Sequence, residues 1–327
     1  MSGLYPIKFQ PIFHEKIWGG NRMRTILKKD YGDLPNCGES WELSGVEGNI
    51  SVVSNGFLAG NNLNELIEIY MGDLVGDKVY EKFGIEFPLL IKFIDAQDDL
   101  SIQVHPNDEL SKKRHNAYGK TEMWYVAGTE KGALINSGFN QEVDREKYLE
   151  YLNAGKLTDL LHYDEAKVGD VFFIPAGRVH AIGKGCLVAE IQQTSDVTYR
   201  IFDYNRKDDK GNERELHTDL ALDAIDFSYS SEYKTPYVSE LNAATELVSC
   251  PYFTTNIITF DKELDKNYNE LDSFVIFMVL EGNVEIVTEG GSEQAQTGET
   301  VLIPASLESV QLKPQNKKVK LLEVFIK

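Results

Sequence analysis

The sequence predicts a mainly β protein, built as two related β-barrels with additional covering α-helices. Short apolar segments bounded by turn residues recur along the chain and dominate it after residue 242. One of them, GDVFFIPAG at residues 169–177, recurs as GETVLIPAS at 298–306, with the glycine, the acid, the apolar strand and Ile-Pro-Ala in register. A duplicated structural unit explains such a repeat. We therefore predict two domains, residues 1–241 and 242–327.

Composition limits the function of this 327-residue chain. The formal net charge of −19 and the sequence pI of 4.8 disfavour nucleic acid and anionic membranes as partners, because an acidic surface repels polyanions. The three cysteines have no paired spacing, which is typical of reduced thiols in the cytoplasm. No apolar run approaches the ~20 residues of a membrane helix. We expect a cytoplasmic protein without an obligate protein partner.

Two segments have helical periodicity. The first begins at Asn62, where Glu65 is placed to complete a capping box. The second begins at Asp144 and ends near Gly155. The apolar stripes of these two helices are Leu63, Leu66, Ile67, Tyr70 and Met71, and Tyr148, Leu149 and Leu152. Both helices are expected to cover the sheets.

Residues 87–96 (FPLLIKFIDA) form an almost continuous apolar run, as expected of a strand that is buried on both faces. Lys92 interrupts this run. A lysine there either extends its ammonium group to the edge of the sheet or supplies a fixed positive charge at a site. The sequence leaves both interpretations open.

Polar residues that suggest chemistry follow this strand. At the two-residue period of a strand, Ser101, Gln103 and His105 share one face. After a charged stretch, which we predict to be a loop, Lys120 and Glu122 share one face of a second strand. A solvated edge strand gives the same alternation, yet its exposed face rarely carries such a set of side chains. The two strands are therefore expected to direct these side chains into one space.

A third group of polar residues follows the first copy of the repeat. A Pro-Ala-Gly turn leads to His180. Strand-like alternation then places Glu190 on a polar face and, further on, puts Asp196 and Arg200 on one face. In the register of the repeat, His180 corresponds to Ser309. The second unit thus lacks the histidine.

Gln103, His105, Glu122 and His180 make up a candidate metal shell. Two histidines with one carboxylate are the composition of open catalytic zinc sites and also of non-haem iron sites. Four independent polar residues are the alternative. The spacing from the glycine at 169 through Pro-Ala-Gly to His180 matches the second motif of the cupin superfamily, in which the histidine binds metal inside a small antiparallel barrel. This match favours the metal shell.

Six motifs resemble one family, the type I mannose-6-phosphate isomerases in their short bacterial form. They are WGG at 18–20, GESWELS at 38–44, LSIQVHP at 100–106, GKTEMWY at 119–125, IPAGRVHAIG at 174–183 and QQTSDVTYRIFDY at 192–204. The resemblance implies two cupin-like (jelly-roll) β-barrels, of which the one in residues 1–241 is catalytic and metal-binding. It also implies reversible isomerisation of mannose 6-phosphate and fructose 6-phosphate through a cis-enediol.

The resemblance implies roles for individual residues. They are one Zn²⁺ per chain on Gln103, His105, Glu122 and His180, catalysis by Lys120, Asp196 and Arg200, and substrate binding by Trp18, Lys92 and Ser101. The base that moves the proton between C1 and C2 stays open among Asp196, Glu190, His180 and Lys120. Lys120 and Arg200 are expected to stabilise the negative charge of the enediolate.

The chain also departs from the family's pattern. Longer members carry HKPE where this chain has GKTE at 119–122, and Glu122 lies seventeen positions after His105, farther than in the general cupin motif. The basic run 112–115 is either a solvated surface or lies at the mouth of the site. The run 205–215 has almost no apolar residue and is predicted to be a solvated loop.

Two other classes of protein remain as alternatives. A metal-dependent cupin oxygenase would use the same ligands with iron. A non-catalytic sugar-binding cupin would use the barrel alone, and Lys120 and Arg200 disfavour it. Metal identity and a requirement for dioxygen separate the oxygenase from the isomerase.

Overall fold

The computed structural model describes residues 3–207 and 210–327, and antiparallel β-structure dominates it. The strands of this part of the chain are β1 (Ile7–Lys8), β2 (Ile12–His14), β3 (Glu39–Ser44), β4 (Leu89–Asp95), β5 (Ile102–Val104), β6 (Glu122–Thr129), β7 (Leu134–Phe139), β8 (Leu161–Glu165), β9 (Val171–Ile174), β10 (His180–Ile182), β11 (Cys186–Gln193), β12 (Tyr199–Phe202), β13 (Ala243–Ser249), β14 (Thr254–Phe260), β15 (Leu264–Asn267), β16 (Val275–Glu281), β17 (Asn283–Thr288), β18 (Gly291–Gln296), β19 (Thr300–Ile303), β20 (Ser309–Pro314) and β21 (Val319–Phe325). The helices are α1 (Arg22–Thr25), α2 (Leu63–Tyr70), α3 (Gly72–Val75), α4 (Asp77–Phe83), α5 (Asp108–His115), α6 (Arg145–Asn153) and α7 (Thr218–Leu222), and a 3₁₀ turn spans Leu157–Leu160.

The strands form four antiparallel sheets, which face each other in two pairs. The first barrel joins a five-stranded sheet (order β12-β5-β10-β7-β8) to a six-stranded sheet (β2-β3-β4-β11-β6-β9). The second barrel joins a six-stranded sheet (β1-β19-β16-β21-β14-β13) to a four-stranded sheet (β15-β20-β17-β18). Each pair of sheets encloses its own apolar core. The predicted fold, two jelly-roll barrels with covering helices, is confirmed.

The two barrels pack through their six-stranded sheets. Strand β4 lies in the middle of the first of these sheets and is buried on both faces, as its apolar sequence predicts. Ile91 and Phe93 on β4 share a core with Ile257 and Ile276 of the second barrel. Strand β1 pairs with β19, so the start of the chain belongs to a sheet of the second barrel. The domain division after residue 241 stays a prediction.

Both predicted helices are present. Asn62 and Glu65 form the capping box of α2, and the side chain of Asp144 caps α6. Helix α6 covers the outer face of the five-stranded sheet through Tyr148. The prediction that Met71 belongs to the apolar stripe of this helix is wrong. Helix α2 ends at Tyr70, and the side chain of Met71 is exposed. No helix in residues 3–207 and 210–327 has the length and apolar character that crossing a bilayer requires.

The charged stretch after β5 is helix α5, so the predicted loop is wrong. The side chain of Asn107 accepts a hydrogen bond from the N–H of Leu110 and caps the helix. Acidic residues occupy the first turn and basic residues the last, which suits the helix dipole. Arg114 in the last turn pairs with Asp223 at 2.5 Å. Within the described chain, none of the residues 112–115 lines the cavity discussed below.

The structural repeat contains a shift that the sequence does not reveal. His180 and Ser309 each begin a strand, β10 and β20. His180 is buried inside its barrel, whereas Ser309 is exposed and its neighbour Val310 packs into the core of the second barrel. Val310, rather than Ser309, therefore takes the inward-facing position. Neither side chain can supply an imidazole ligand.

Candidate metal centre and its cavity

Three buried side chains, His105, Glu122 and His180, converge inside the first barrel. The Nε2 atoms of the two histidines are 3.1 Å apart. Glu122 Oε1 lies 3.4 Å from His180 Nε2, and Glu122 Oε2 lies 3.6 Å from His105 Nε2. The amide nitrogen of Gln103 is 3.3 Å from His180 Nε2, and rotating this amide by a half-turn brings its oxygen to the same position. All four residues predicted to bind metal thus lie together.

The register of the strands explains why these residues meet. In the five-stranded sheet, His180 on β10 lies opposite Gln103 on β5, which in turn lies opposite Arg200 on β12. In the facing six-stranded sheet, Glu122 begins β6 and lies opposite Gln192 on β11. Each sheet contributes a polar row to the interior of the first barrel.

Backbone hydrogen bonds fix both imidazoles. His105 Nδ1 is 3.1 Å from the carbonyl oxygen of Val197, and His180 Nδ1 is 2.8 Å from that of Arg178. Nδ1 must therefore be the donor, and Nε2 of the neutral ring carries a lone pair. Burial lowers the pKa of His180 to about 4, and burial together with the charge of Lys120 lowers the pKa of His105 well below its usual value. Two neutral imidazoles thus face each other through their lone pairs.

The chemistry of this centre fits a cation. Both carboxylate oxygens of Glu122 are buried and accept no hydrogen bond within the described chain. Burial, together with the neighbouring charge of Glu190, raises the pKa of Glu122 to about 8, and a bound cation would reverse this shift. Two imidazoles and a carboxylate suit Zn²⁺ or Fe²⁺. They are the one group of three or more such ligands in residues 3–207 and 210–327.

A second polar row adjoins the centre on the six-stranded sheet. Glu190 on β11 lies between Lys92 on β4 and Trp124 on β6. Lys92 Nζ is 2.7 Å from Glu190 Oε1, and Trp124 Nε1 donates a hydrogen bond of 2.7 Å to Glu190 Oε2. Burial opposes ionisation of Glu190, but the charges of Lys92 and Lys120 and the hydrogen bonds from Lys92 and Trp124 together outweigh it and lower the pKa of Glu190. Lys92 is 5% exposed, so it is a fixed internal charge and does not reach the sheet edge.

A cavity of about 350 Å³ adjoins the metal centre. The predicted residues that line it are Trp18, Lys92, Ser101, Gln103, Lys120, Glu190, Asp196 and Arg200. His105, Glu122 and His180 lie behind this lining, and Lys120 Nζ is 3.6 Å from Glu122 Oε2. Asp196 is exposed, whereas Lys120 is buried. The structure therefore brings the predicted catalytic and substrate-binding residues into one space beside the predicted ligands.

Arg200 lines this cavity without a carboxylate partner in the described chain. Its NH1 group donates a hydrogen bond of 2.9 Å to the carbonyl oxygen of Glu215. Its Nε atom is buried and has no hydrogen-bond partner in residues 3–207 and 210–327. The nearby carboxylate of Asp203 binds Arg206 and Arg214 instead. Arg200 therefore lines the cavity with its charge unpaired by a carboxylate in the described chain.

Several residues of the cavity were not assigned a role from the sequence. They are His14, Lys16, Glu39, Trp41 and Arg214. Trp41 Nε1 donates a hydrogen bond of 2.8 Å to Glu39, and Lys16 Nζ lies 3.4 Å from Glu39. Strand alternation in the motif GESWELS was the available signal for Glu39 and Trp41. Arg214 comes from the run predicted to be a solvated loop, of which residues 208 and 209 lie outside the described chain.

Comparison with known proteins gives concordant matches. Residues 7–135 match the family model of the type I phosphomannose isomerase catalytic domain, and residues 243–321 match that of the mannose-6-phosphate isomerase cupin domain. The mannose-6-phosphate isomerase ManA of Bacillus subtilis is 35% identical over 94% of this chain and 95% of that protein. The mannose-6-phosphate isomerase of Streptococcus mutans is 34% identical over 94% of each chain.

Solved structures agree with these matches. The mannose 6-phosphate isomerase from Bacillus subtilis has a TM-score of 0.87 at 31% identity, covering 98% of this chain and 99% of that chain. A putative mannosephosphate isomerase from Archaeoglobus fulgidus has a TM-score of 0.80 at 22% identity, covers 99% of each chain and supports the fold alone. The chain belongs to the type I phosphomannose isomerase family.

Proposed function

We propose that the protein is a zinc-dependent aldose–ketose isomerase that interconverts D-mannose 6-phosphate and D-fructose 6-phosphate through a cis-enediol. The observation that carries this proposal is the buried group of His105, Glu122 and His180, in which both oxygens of Glu122 accept no hydrogen bond in the described chain, beside a cavity lined by lysine and arginine. Relatives named mannose-6-phosphate isomerase support the choice of substrate.

We propose one Zn²⁺ per chain, held by His105, Glu122 and His180, with Gln103 as a further ligand. When bound, the metal supplies a Lewis acid for the oxygens of the sugar. The carbonyl groups of Val197 and Arg178 keep both imidazoles in the tautomer that such binding requires. The residues of the chain perform the remaining tasks.

Lys120 and Arg200 are proposed to stabilise the negative charge that develops on the enediolate. Lys120 carries its ammonium group next to Glu122, at the boundary between the ligands and the cavity. Arg200 offers a buried donor without a partner in the described chain. Fixed donors that point at a developing oxyanion stabilise the transition state, mainly because they need no reorganisation during the reaction.

Hydrogen bonding narrows the choice of the base. Both nitrogens of His180 are engaged, one by a carbonyl group and the other within the ligand group. Both oxygens of Glu190 are engaged by Lys92 and Trp124, and its lowered pKa makes it a weak base. Lys120 and Asp196 are the remaining candidates. Comparing the pH–rate profiles of Asp196→Asn and Lys120→Met separates them.

Substrate binding by Trp18, Lys92 and Ser101 is part of the proposal. The ion pair of Lys92 with Glu190 neutralises much of its charge, so Lys92 contributes less to phosphate binding than the sequence suggests. Its larger role is to keep Glu190 ionised. We further propose that the enzyme acts on a small phosphorylated sugar in the cytoplasm, where its three free cysteines stay reduced.

A coupled assay of fructose 6-phosphate formation from mannose 6-phosphate tests the proposal. We expect turnover that a chelator abolishes, that Zn²⁺ restores and that exclusion of dioxygen leaves unchanged. A requirement for dioxygen and iron would instead identify a cupin oxygenase. Absence of turnover by the zinc-loaded protein would refute the isomerase proposal.

A further inference from the structure

One carboxylate organises the unusually long segment between the ligands His105 and Glu122. Asp108 is the first residue of α5, and its side chain receives three hydrogen bonds from three parts of the molecule. Oδ1 accepts from the N–H of Gly119 at 2.8 Å and from Nε2 of Gln193 at 3.0 Å. Oδ2 accepts from the hydroxyl of Tyr252 at 2.9 Å. Asp108 thus links helix α5, strand β11 and the second barrel.

Gln193 extends this network to the residue before Glu122. Its Oε1 atom accepts a hydrogen bond of 2.9 Å from the N–H of Thr121, and its own N–H donates one of 3.1 Å to the carbonyl oxygen of Thr121. Asp108 holds Gly119, and Gln193 holds Thr121. The two residues on either side of Lys120 are therefore both fixed by one network.

The position of Lys120 depends on this backbone. Its N–H donates a hydrogen bond of 3.1 Å to the carbonyl oxygen of Pro106. Its side chain has a single ion pair in the described chain, 3.6 Å from Glu122, and the stem of a lysine is flexible. Gly119 packs so closely that an added Cβ atom would lie 2.5 Å from the nitrogen of Asp108. The chain therefore passes tightly against the start of α5 just before Lys120.

We propose that Asp108 is a positioning residue of the isomerase reaction that acts through Lys120, and that Tyr252 makes this site depend on the second barrel. Tyr252 lies between β13 and β14 of that barrel. Burial, together with the hydrogen bond to Asp108, raises the pKa of Tyr252 to about 12, so its hydroxyl remains a donor at neutral pH. The inference rests on the proposed function, because Lys120 is assigned there.

A double-mutant cycle tests the inference. Asp108→Ala should lower kcat about 10- to 100-fold, the range typical of residues that orient others, with KM and zinc content near wild type. Asp108→Asn keeps an oxygen acceptor for the N–H of Gly119 and should recover most of the activity. In a Lys120→Ala background, Asp108→Ala should change kcat less than about twofold, because the group it positions is gone. Asp144→Ala, which removes the capping carboxylate of α6, is the matched control and should leave kcat unchanged.

The outcomes distinguish the two proposals. Equal losses from Asp108→Ala in both backgrounds, or loss of zinc in parallel with activity, would overturn the positioning role while leaving the isomerase intact. A wild-type protein without isomerase activity would remove both proposals. If Lys120→Ala is too slow to assay, amide hydrogen exchange replaces the cycle. Asp108→Ala should then speed exchange at Gly119 and Thr121 but not in the middle of β6, and unchanged exchange would refute the inference.

Tyr252→Phe tests the connection to the second barrel. Removing only the hydroxyl should lower kcat about 2- to 30-fold, the range of energetic coupling between linked elements, with zinc retained. Tyr237→Phe is the matched control, because its hydroxyl donates a hydrogen bond of 2.8 Å to the carbonyl oxygen of Gly169, away from the site. Equal kcat values for the two variants would refute the role of Tyr252.

Discussion

The two barrels share a strand ladder that places a buried, paired glutamate at the same position, but the first barrel adds Glu122, whose oxygens accept no hydrogen bond in the described chain. In the first barrel, Glu190 on β11 lies opposite Lys92 and beside the metal ligands. In the second barrel, Glu323 on β21 occupies the corresponding place and lies opposite Asn256. Glu323 accepts hydrogen bonds from Tyr268 at 2.5 Å and from Asn256 at 2.7 Å, and it pairs with Lys266 at 2.8 Å.

The difference shows what separates a structural barrel from a functional one. The second barrel balances its buried carboxylate with donors of its own, so no external cation is needed. The first barrel leaves the oxygens of Glu122 without donors in the described chain and faces two imidazole lone pairs toward each other. A buried carboxylate without hydrogen-bond donors therefore marks the barrel that is built for a ligand.

The largest expected effect comes from removing an imidazole. His180→Ala should lose bound zinc and activity together, while the fold survives, because the remaining ligands hold zinc poorly. Elemental analysis and the coupled assay on one preparation measure both. His162→Ala is the matched control, since His162 lies on β8 and contacts Asp164 at 3.1 Å outside the centre. Full zinc occupancy in His180→Ala would contradict the ligand assignment.

Arg200→Ala should produce the next largest effect. Loss of one donor to a developing oxyanion costs on the order of 100- to 1000-fold in turnover, and zinc content and melting temperature should stay near wild type. Arg200→Lys should recover little, because a point charge does not reproduce the fork of donors. Arg114→Ala removes an exposed ion pair worth ~0–1 kcal/mol and is the control. Turnover of Arg200→Ala within a few-fold of wild type would make Lys120 the main stabilising group.

A change in the second barrel should affect stability without affecting catalysis. Glu323→Ala leaves the half-buried donors of Tyr268 and Asn256 without their acceptor, which should cost roughly 1–3 kcal/mol of unfolding free energy. Activity and zinc per folded molecule should remain at the wild-type level. Thermal unfolding and the coupled assay provide the two readouts. A loss of zinc in Glu323→Ala would mean that the second barrel contributes to the metal site.

The smallest expected effect is that of Ser309→His. The substitution restores the histidine that the sequence repeat lacks, but the new side chain lies on the exposed face of β20. Its effect on stability should stay within about 0.5 kcal/mol, and the zinc content should not change. A second equivalent of zinc in this variant would show that position 309 faces inward after all.

Patterns among neighbouring residues predicted much of the fold. Features that depend on contacts between distant segments could not be predicted. The capping box at Asn62 and the buried strand around Lys92 follow from spacing alone and are present in the structure. The segment of helix α5 was predicted to be a loop because its residues are mostly polar and show no apolar periodicity. Asn107 was a recognisable N-cap residue in the sequence. The side chain of Val310 faces inward because of how its strand pairs with its neighbours, and the sequence repeat does not reveal this pairing.

The same limit applies to the candidate site. The predicted ligands lie together because they belong to strands whose alternation could be read. Arg214 could not be found, because the run that carries it has no period, and its ion pair with Asp203 cannot be read from the sequence. Asp108 was hidden for a related reason, since two of its three partners, Gln193 and Tyr252, come from distant parts of the chain.

The central claim is that only the first barrel binds metal. Counting the metal ions per chain and locating each of them tests this claim most directly. Elemental analysis of the purified wild-type protein, combined with anomalous diffraction at the zinc edge, counts the ions and places each in a barrel. The account predicts one zinc per chain, bound by His105, Glu122 and His180, and none at Glu323. A second zinc inside the second barrel, or a single zinc located there, would contradict it.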